Sequence, residues 1–182
     1  MKIAALVSIC LLLVTFFTVV RVHPQGKQFS ISQHAASKEW TSWIFGLALT
    51  FFAGFFIIFI ETWLYPFLAI PKIFFLIFPF TWFCLLITAW IPDTLHGWQS
   101  KLHQLAALGI GLIMIFIMVS FIFAGHISPI FRFIAGITAL WYIFTLYLFF
   151  FVKSSLRYFL VHQSINTVSF FTIIFMIAFL QH

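Results

Sequence analysis

Six apolar stretches, at 3–20, 41–60, 72–91, 102–124, 129–152 and 156–180, occupy most of this 182-residue chain. At a helical rise of about 1.5 Å per residue even the shortest reaches roughly 27 Å, close to the ~30 Å hydrocarbon thickness of a bilayer. No water is present in that layer to bond backbone amides and carbonyls, so each stretch must satisfy them within itself, and a helix does so. The expected fold class is therefore all-α: a polytopic membrane protein, a bundle of six transmembrane helices forming one domain over 1–182. Composition agrees, with 64% of residues apolar and 7% charged, against roughly 45–50% and 25% in soluble domains. Such a chain has too little polar side chain to clothe a water-soluble globule. Phenylalanine runs at 51–56 and 149–151 suit surfaces that face lipid. A cell's plasma membrane is the expected location, with membrane lipids as the expected partners; no protein partner is identified.

The ends of the stretches carry helix punctuation. Ser128-Pro129 sets a capping side chain before a proline at the first helical position, and Gly125 follows the preceding stretch. Pro71 opens the third helix, and Pro79, near its middle, predicts a kink. Trp40, Trp43, Trp63, Tyr65, Trp90, Trp98 and Tyr158 fall near the ends, as an interfacial aromatic belt requires. The first stretch resembles a signal peptide in its Lys2 start. Its length and its exit through Val19-Val20-Arg21-Val22-His23-Pro24, without a small-residue cleavage pattern, predict a retained helix instead. No internal repeat or low-complexity linker is visible.

The formal charge of +6 arises from nine Lys and Arg against Glu39, Glu61 and Asp93. These cations are scattered between apolar segments as loop anchors and form no basic stripe, so nucleic acid is excluded as a partner. Cys10 and Cys84 lie inside apolar stretches, where cysteine behaves as a small hydrophobe. With six crossings, Lys2, Lys72 and Arg132 share the side of the termini, and Arg21, Lys27, Lys38, Lys101, Lys153 and Arg157 share the other. The positive-inside bias puts the second side in the cytoplasm and the termini outside.

Polar side chains gather toward that second face: Ser30, Ser32, His34, Asp93, His96, His103, Gln104, His162, Gln163 and Asn166. His34 and His96 lie in loops, where a solvated ring is expected. His103 opens the fourth helix and His162 lies at similar depth in the sixth. The i, i+4, i+7 spacing of His162, Asn166 and Ser169 makes one helical stripe, which should face protein or a wet cavity and not lipid. Ala106, Ala107, Gly109 and Gly111 allow close backbone approach to the fourth helix, against which that stripe is expected to pack.

Several chemistries suit this collection. The first is a polar cluster that is mainly structural or handles lipid. A second is a metal-dependent membrane hydrolase acting on lipid head groups, with Asp93, His96, His103 and His162 around a divalent ion such as Zn²⁺ and an open position for water. Here His96 and His103 are seven positions apart and form no H-E-x-x-H pattern. Without metal, His103 or His162 could act as general base for Ser32, oriented by Asp93, in the manner of a catalytic triad. The third is a b-type haem held between His103 and His162. A transporter would show broken helices in matching halves or charges near the midplane, and neither is visible.

Phe29-Ser30-Ile31-Ser32 after the first helix, Ile91-Pro92-Asp93 closing the third and His103 opening the fourth resemble the six-helix membrane proteins of domain-of-unknown-function family 998. More distantly, the chain is similar to Frag and DRAM-type membrane proteins. The resemblance implies the six-helix fold, singles out Ser32, Asp93 and His103 as the candidate catalytic trio, and carries a distant link to lipid remodelling. The family has an acidic residue and then Leu-Gly after the serine, where this chain has Gln33-His34-Ala35.

Overall fold

The computed structural model describes residues 2–22, 26–91, 93, 97–152 and 157–180. Seven helices occur among them: α1 (Lys2–Val22), α2 (Ile31–Ala35), α3 (Glu39–Phe67), α4 (Lys72–Trp90), α5 (Trp98–Ile122), α6 (Pro129–Phe151) and α7 (Phe159–Leu180). All but the short α2 are long and apolar enough to cross a membrane, so six spans form an all-α bundle. Their outward faces carry exposed rings such as Phe17, Phe51, Phe133 and Phe150. That surface needs lipid, because a water-facing shell of this kind would aggregate.

Three elements differ from the expectation, each for a local reason. The second span continues past Glu61 to Phe67 through a wide turn at Ile60–Leu64, where Tyr65 N–H bonds to Ile60 O. Pro66 follows directly; its ring cannot sit against the carbonyl four residues back, so the turn before it opens to an i→i+5 pattern. Tyr65 is thereby carried inward. It is 0% exposed, packs against Phe75, Phe78 and Phe121, and shares a 2.9 Å hydrogen bond with the Ser120 hydroxyl, so it is not part of an interfacial belt. In α4, Lys72–Leu76 is a 3-10 segment and the α-helix proper starts at Ile77. Pro79 therefore lies in a first α-helical turn, where its missing N–H costs little, and not at a mid-helix kink.

Neighbouring spans pack in chain order, α1 on α3, α3 on α4, α4 on α5, α5 on α6 and α6 on α7. Phe52 and Phe56 of α3 meet Phe171 of α7 edge-on and close the ring. Lys2 adds a tie, donating to Ala178 O at 3.0 Å with its ammonium 4.1 Å above the Trp63 ring. The small residues of the fourth span serve close approach, but chiefly toward its chain neighbours. A Cβ on Gly109 would lie 2.6 Å from Cys84 Sγ of α4, and one on Gly111 would lie 3.4 Å from Leu146 of α6.

The polar stripe of the last span also finds a different partner from the one expected. Asn166 accepts from Trp141 Nε1 and donates to Thr145 Oγ1, both at 2.9 Å, and the Ser169 and Tyr142 hydroxyls are 3.0 Å apart. These partners are all on α6, whereas α5 and α7 face one another across a cavity.

The start of α5 needs a glycine. Gly97 has φ +99° and ψ 180°, and a Cβ there would meet nothing within 4 Å. That backbone region is almost closed to other residues. We expect Gly97→Ala to cost about 1–3 kcal/mol from backbone strain alone, read as a lowered thermal unfolding midpoint in detergent; an unchanged midpoint would show that the turn has another conformation available.

Candidate functional site

The site is built on a five-residue helix. Ser30, in extended conformation, caps α2 with its Oγ accepting from Gln33 N–H at 3.1 Å, and Gln33 Oε1 accepts in return from Ser30 N–H at 2.9 Å. This reciprocal box is what Ser-x-x-Gln spacing encodes. His34 is 1% exposed, with its Nδ1–H donating to Ser30 O at 2.8 Å, so it braces the turn and is not a solvated loop residue. Thr41 Oγ1 donates to Ala35 O at 2.7 Å, joining α2 to α3. From the far end of the chain, Gln163 Oε1 accepts from Ile31 N–H at 2.9 Å, and Leu160 N–H donates to Lys27 O at 3.0 Å.

α2 holds Ser32 against α5. Ser32 Oγ is 2.9 Å from His103 Nε2 and 2.9 Å from Ser30 Oγ. His103 lies a turn and more inside α5, because that helix begins at Trp98. Its other nitrogen, Nδ1, is 2.6 Å from Ile91 O. A carbonyl only accepts, so Nδ1 carries a proton, and in the neutral ring Nε2 is left as the acceptor for the Ser32 hydroxyl. The backbone thus does for His103 what a carboxylate does in a triad: it fixes tautomer and orientation.

Asp93 belongs to the same cluster but does not touch His103 in the described contacts. Ser30 donates to its Oδ2 at 3.3 Å and Ser100 to its Oδ1 at 3.1 Å, while Gln104 Nε2 donates to Ser100 Oγ at 3.0 Å. Ser32, Asp93, Ser100 and His103 are all buried, with His103 only 2% exposed. The order of groups allows a second proton arrangement. Once Nε2 takes a proton it donates to Ser32 Oγ, Ser32 donates to Ser30, and Ser30 donates to the Asp93 carboxylate. Ser32 then accepts one bond and donates one, Ser30 accepts from Ser32 and from Gln33 N–H and donates to Asp93, and the negative end of the chain faces the positive one.

Below the pair lies a cavity of about 140 Å³, several times the ~30 Å³ share of one water. Ser32, His103, Thr88, Gln163 and Thr167 supply its polar groups near the second face, and Leu49, Phe52, Phe56, Ile113, Ile117 and Phe171 line its apolar depth. From His103 to Ile117 along α5 the wall runs roughly 21 Å. A slot of this shape suits a molecule with a polar end and a long alkyl chain.

The other candidate positions separate. His162 packs its ring edge-on against Phe149 of α6, centroids 5.7 Å apart, and its Nδ1 is buried without a hydrogen-bond partner. His96 lies outside the described residues. Among the described residues, no three His, Cys, Asp or Glu side chains stand together as a metal shell. Both ring nitrogens of His103 are occupied by Ile91 and Ser32, so haem or metal ligation there would require breaking one of those bonds. Ser100 was not singled out by residue type, since one serine among many carries no signal. Ser30 could have been placed by its box with Gln33.

The fold and this site define a multi-pass integral membrane protein with a buried Ser–His pair at the polar end of an intramembrane cavity. No family model matches the chain, and neither a curated protein nor a solved structure is found to be similar to it.

Proposed function

We propose that this protein cleaves or transfers the acyl group of a membrane lipid ester, with Ser32 as nucleophile and His103 as general base. The observation that carries the proposal is the 2.9 Å bond from Ser32 Oγ to His103 Nε2 at the polar end of an apolar cavity. The alkyl chain would lie among the phenylalanines and isoleucines, bringing the ester carbonyl to Ser32. Ser32 Oγ attacks the carbonyl carbon as its proton passes to Nε2, giving a tetrahedral adduct. The adduct collapses with cleavage of the bond to the alcohol oxygen, and the departing alcohol takes the proton from Nε2. Water, or a second alcohol, then attacks the acyl-serine with His103 again accepting the proton, and Ser32 is restored as the acid or a new ester leaves.

Asp93 accepts from the Ser30 hydroxyl, and Ser30 lies against Ser32, so Asp93 acts on the nucleophile's surroundings and is a positioning residue. The likeness to domain-of-unknown-function family 998 is part of the same proposal: its three positions are Ser32, Asp93 and His103. The larger cation count on the site's side supports a cytoplasmic site and termini outside, and a plasma membrane is the proposed location.

The test is covalent labelling of the detergent-purified protein with an alkyl fluorophosphonate. We expect one labelled peptide, containing Ser32, and none in Ser32→Ala protein of unchanged thermal stability. A folded wild type that takes no label at Ser32 would sink the proposal.

A further inference from the structure

Among the described threonines of these spans, every buried one except Thr88 donates its hydroxyl to a backbone carbonyl. Thr15, Thr50, Thr81, Thr138 and Thr172 each donate their hydroxyl to the carbonyl four residues back, at 2.8 to 2.9 Å. This is how a membrane helix usually satisfies a threonine hydroxyl. Thr88 does not bond to Cys84 O; it is 8% exposed and its Oγ1 has no hydrogen-bond partner. A buried hydroxyl without a partner calls for an explanation, and Thr88 lines the cavity that holds Ser32 and His103.

Two further donors line the same cavity from α7. Gln163 has its Oε1 fixed by Ile31 N–H, which turns the amide so that Nε2 is its free end. Thr167, one helical turn on, lines the cavity with no described partner for its hydroxyl. Near the polar end there are thus three side-chain groups able to donate, and the described protein contacts give them no acceptor. An alkane cannot satisfy them, whereas an oxygen with lone pairs can.

We infer that Thr88 and Gln163 donate to the carbonyl oxygen of the bound lipid, which makes the ligand class a carboxylic ester and these two residues its carbonyl-recognition pair. The inference rests on the acyl-lipid reading above and adds to it the group that selects an ester over an ether. During attack by Ser32, the negative charge that develops on that oxygen would meet the same two donors.

The experiment is done in the Ser32→Ala background, where no acyl-enzyme can form, so that recognition and chemistry are read separately. Binding of monopalmitoylglycerol and of its hexadecyl ether counterpart, which lacks only the carbonyl, is compared by native mass spectrometry from detergent micelles. We expect the ester to bind on the order of tenfold more tightly than the ether. Adding Thr88→Val should remove most of that preference while leaving ether binding unchanged, and Thr88→Ser should retain it. Gln163→Glu, which keeps the acceptor for Ile31 and removes the donor, should also reduce it.

Without ligand, Thr88→Val should be at least as stable as its parent, because an unpaired hydroxyl is exchanged for a methyl group. Equal binding of ester and ether by Ser32→Ala protein would overturn the inference, as would a preference that survives Thr88→Val, or a Thr88→Val chain that is destabilised before any lipid is added. An ester preference in a protein that takes no fluorophosphonate label would uphold it and remove only the catalytic role.

Discussion

His103→Ala is expected to slow fluorophosphonate labelling of Ser32 by about 10²–10⁴-fold, the usual worth of a positioned general base. The magnitude follows from what the ring does: Nε2 is the one described base on the Ser32 hydroxyl, and Ile91 O holds the neutral ring's proton on Nδ1. His103→Gln places an amide where the ring was but cannot take the proton, so it should be nearly as slow. Asp93→Asn should be milder, because the carboxylate acts through Ser30 and Ser32 and not on the ring. Labelling rates, with thermal midpoints as a control for folding, separate these cases. Equal rates in the wild type and His103→Ala would mean that the contact is packing alone.

The second large effect is expected at Gly109, in the seam between α4 and α5. Even an alanine methyl would come to 2.6 Å from Cys84 Sγ and 3.3 Å from the Phe80 ring, so either the Cys84 side chain or the helices must shift. Overpacking of this kind costs about 1–3 kcal/mol, and Gly109→Val should cost more than Gly109→Ala. Cys84→Ala in the same chain removes the nearest atom and should recover much of the loss, a coupling that a double-mutant cycle in detergent would read directly. If Cys84→Ala and Gly109→Ala were simply additive, the two helices would not be in the contact described. The same seam positions His103, so a loss of Ser32 labelling should accompany the destabilisation.

The spans were legible because a membrane imposes one rule on every residue within it: six long apolar runs became six crossings with ends displaced by a few residues. The largest displacement was at Glu61, where a charge suggested a helix end. The side chain is exposed, the backbone continues through the wide turn before Pro66, and Tyr65 is buried as a result. Which helix lies beside which was less legible. Gly109 and Gly111 announce that something approaches closely, but a missing side chain does not name its neighbour. The stripe of Asn166 and Ser169 announces a protein face in the same anonymous way, and α6 occupies it.

That Ser32, Asp93 and His103 would lie in one polar cluster was reachable from residue type and position along the spans. The hydroxyls that join them were not. Ser30 and Ser100 matter because of a fold that brings residues 63 and 7 positions from Asp93 onto its two oxygens. Thr88 was hidden for a related reason: most threonines in a span satisfy themselves, and only three-dimensional context reveals one that does not.

The anchoring of α2 has a consequence for biosynthesis. Ser32 and His103 both precede the last two spans, yet the peptide carrying the serine is fastened through Ile31 and Lys27 to Gln163 and Leu160, in the last of the six spans to be translated. Until α7 enters the bilayer, α2 lacks these fastenings and the cavity lacks a wall. A nascent chain therefore carries Ser32 through insertion with the cavity incomplete, and the final span completes it.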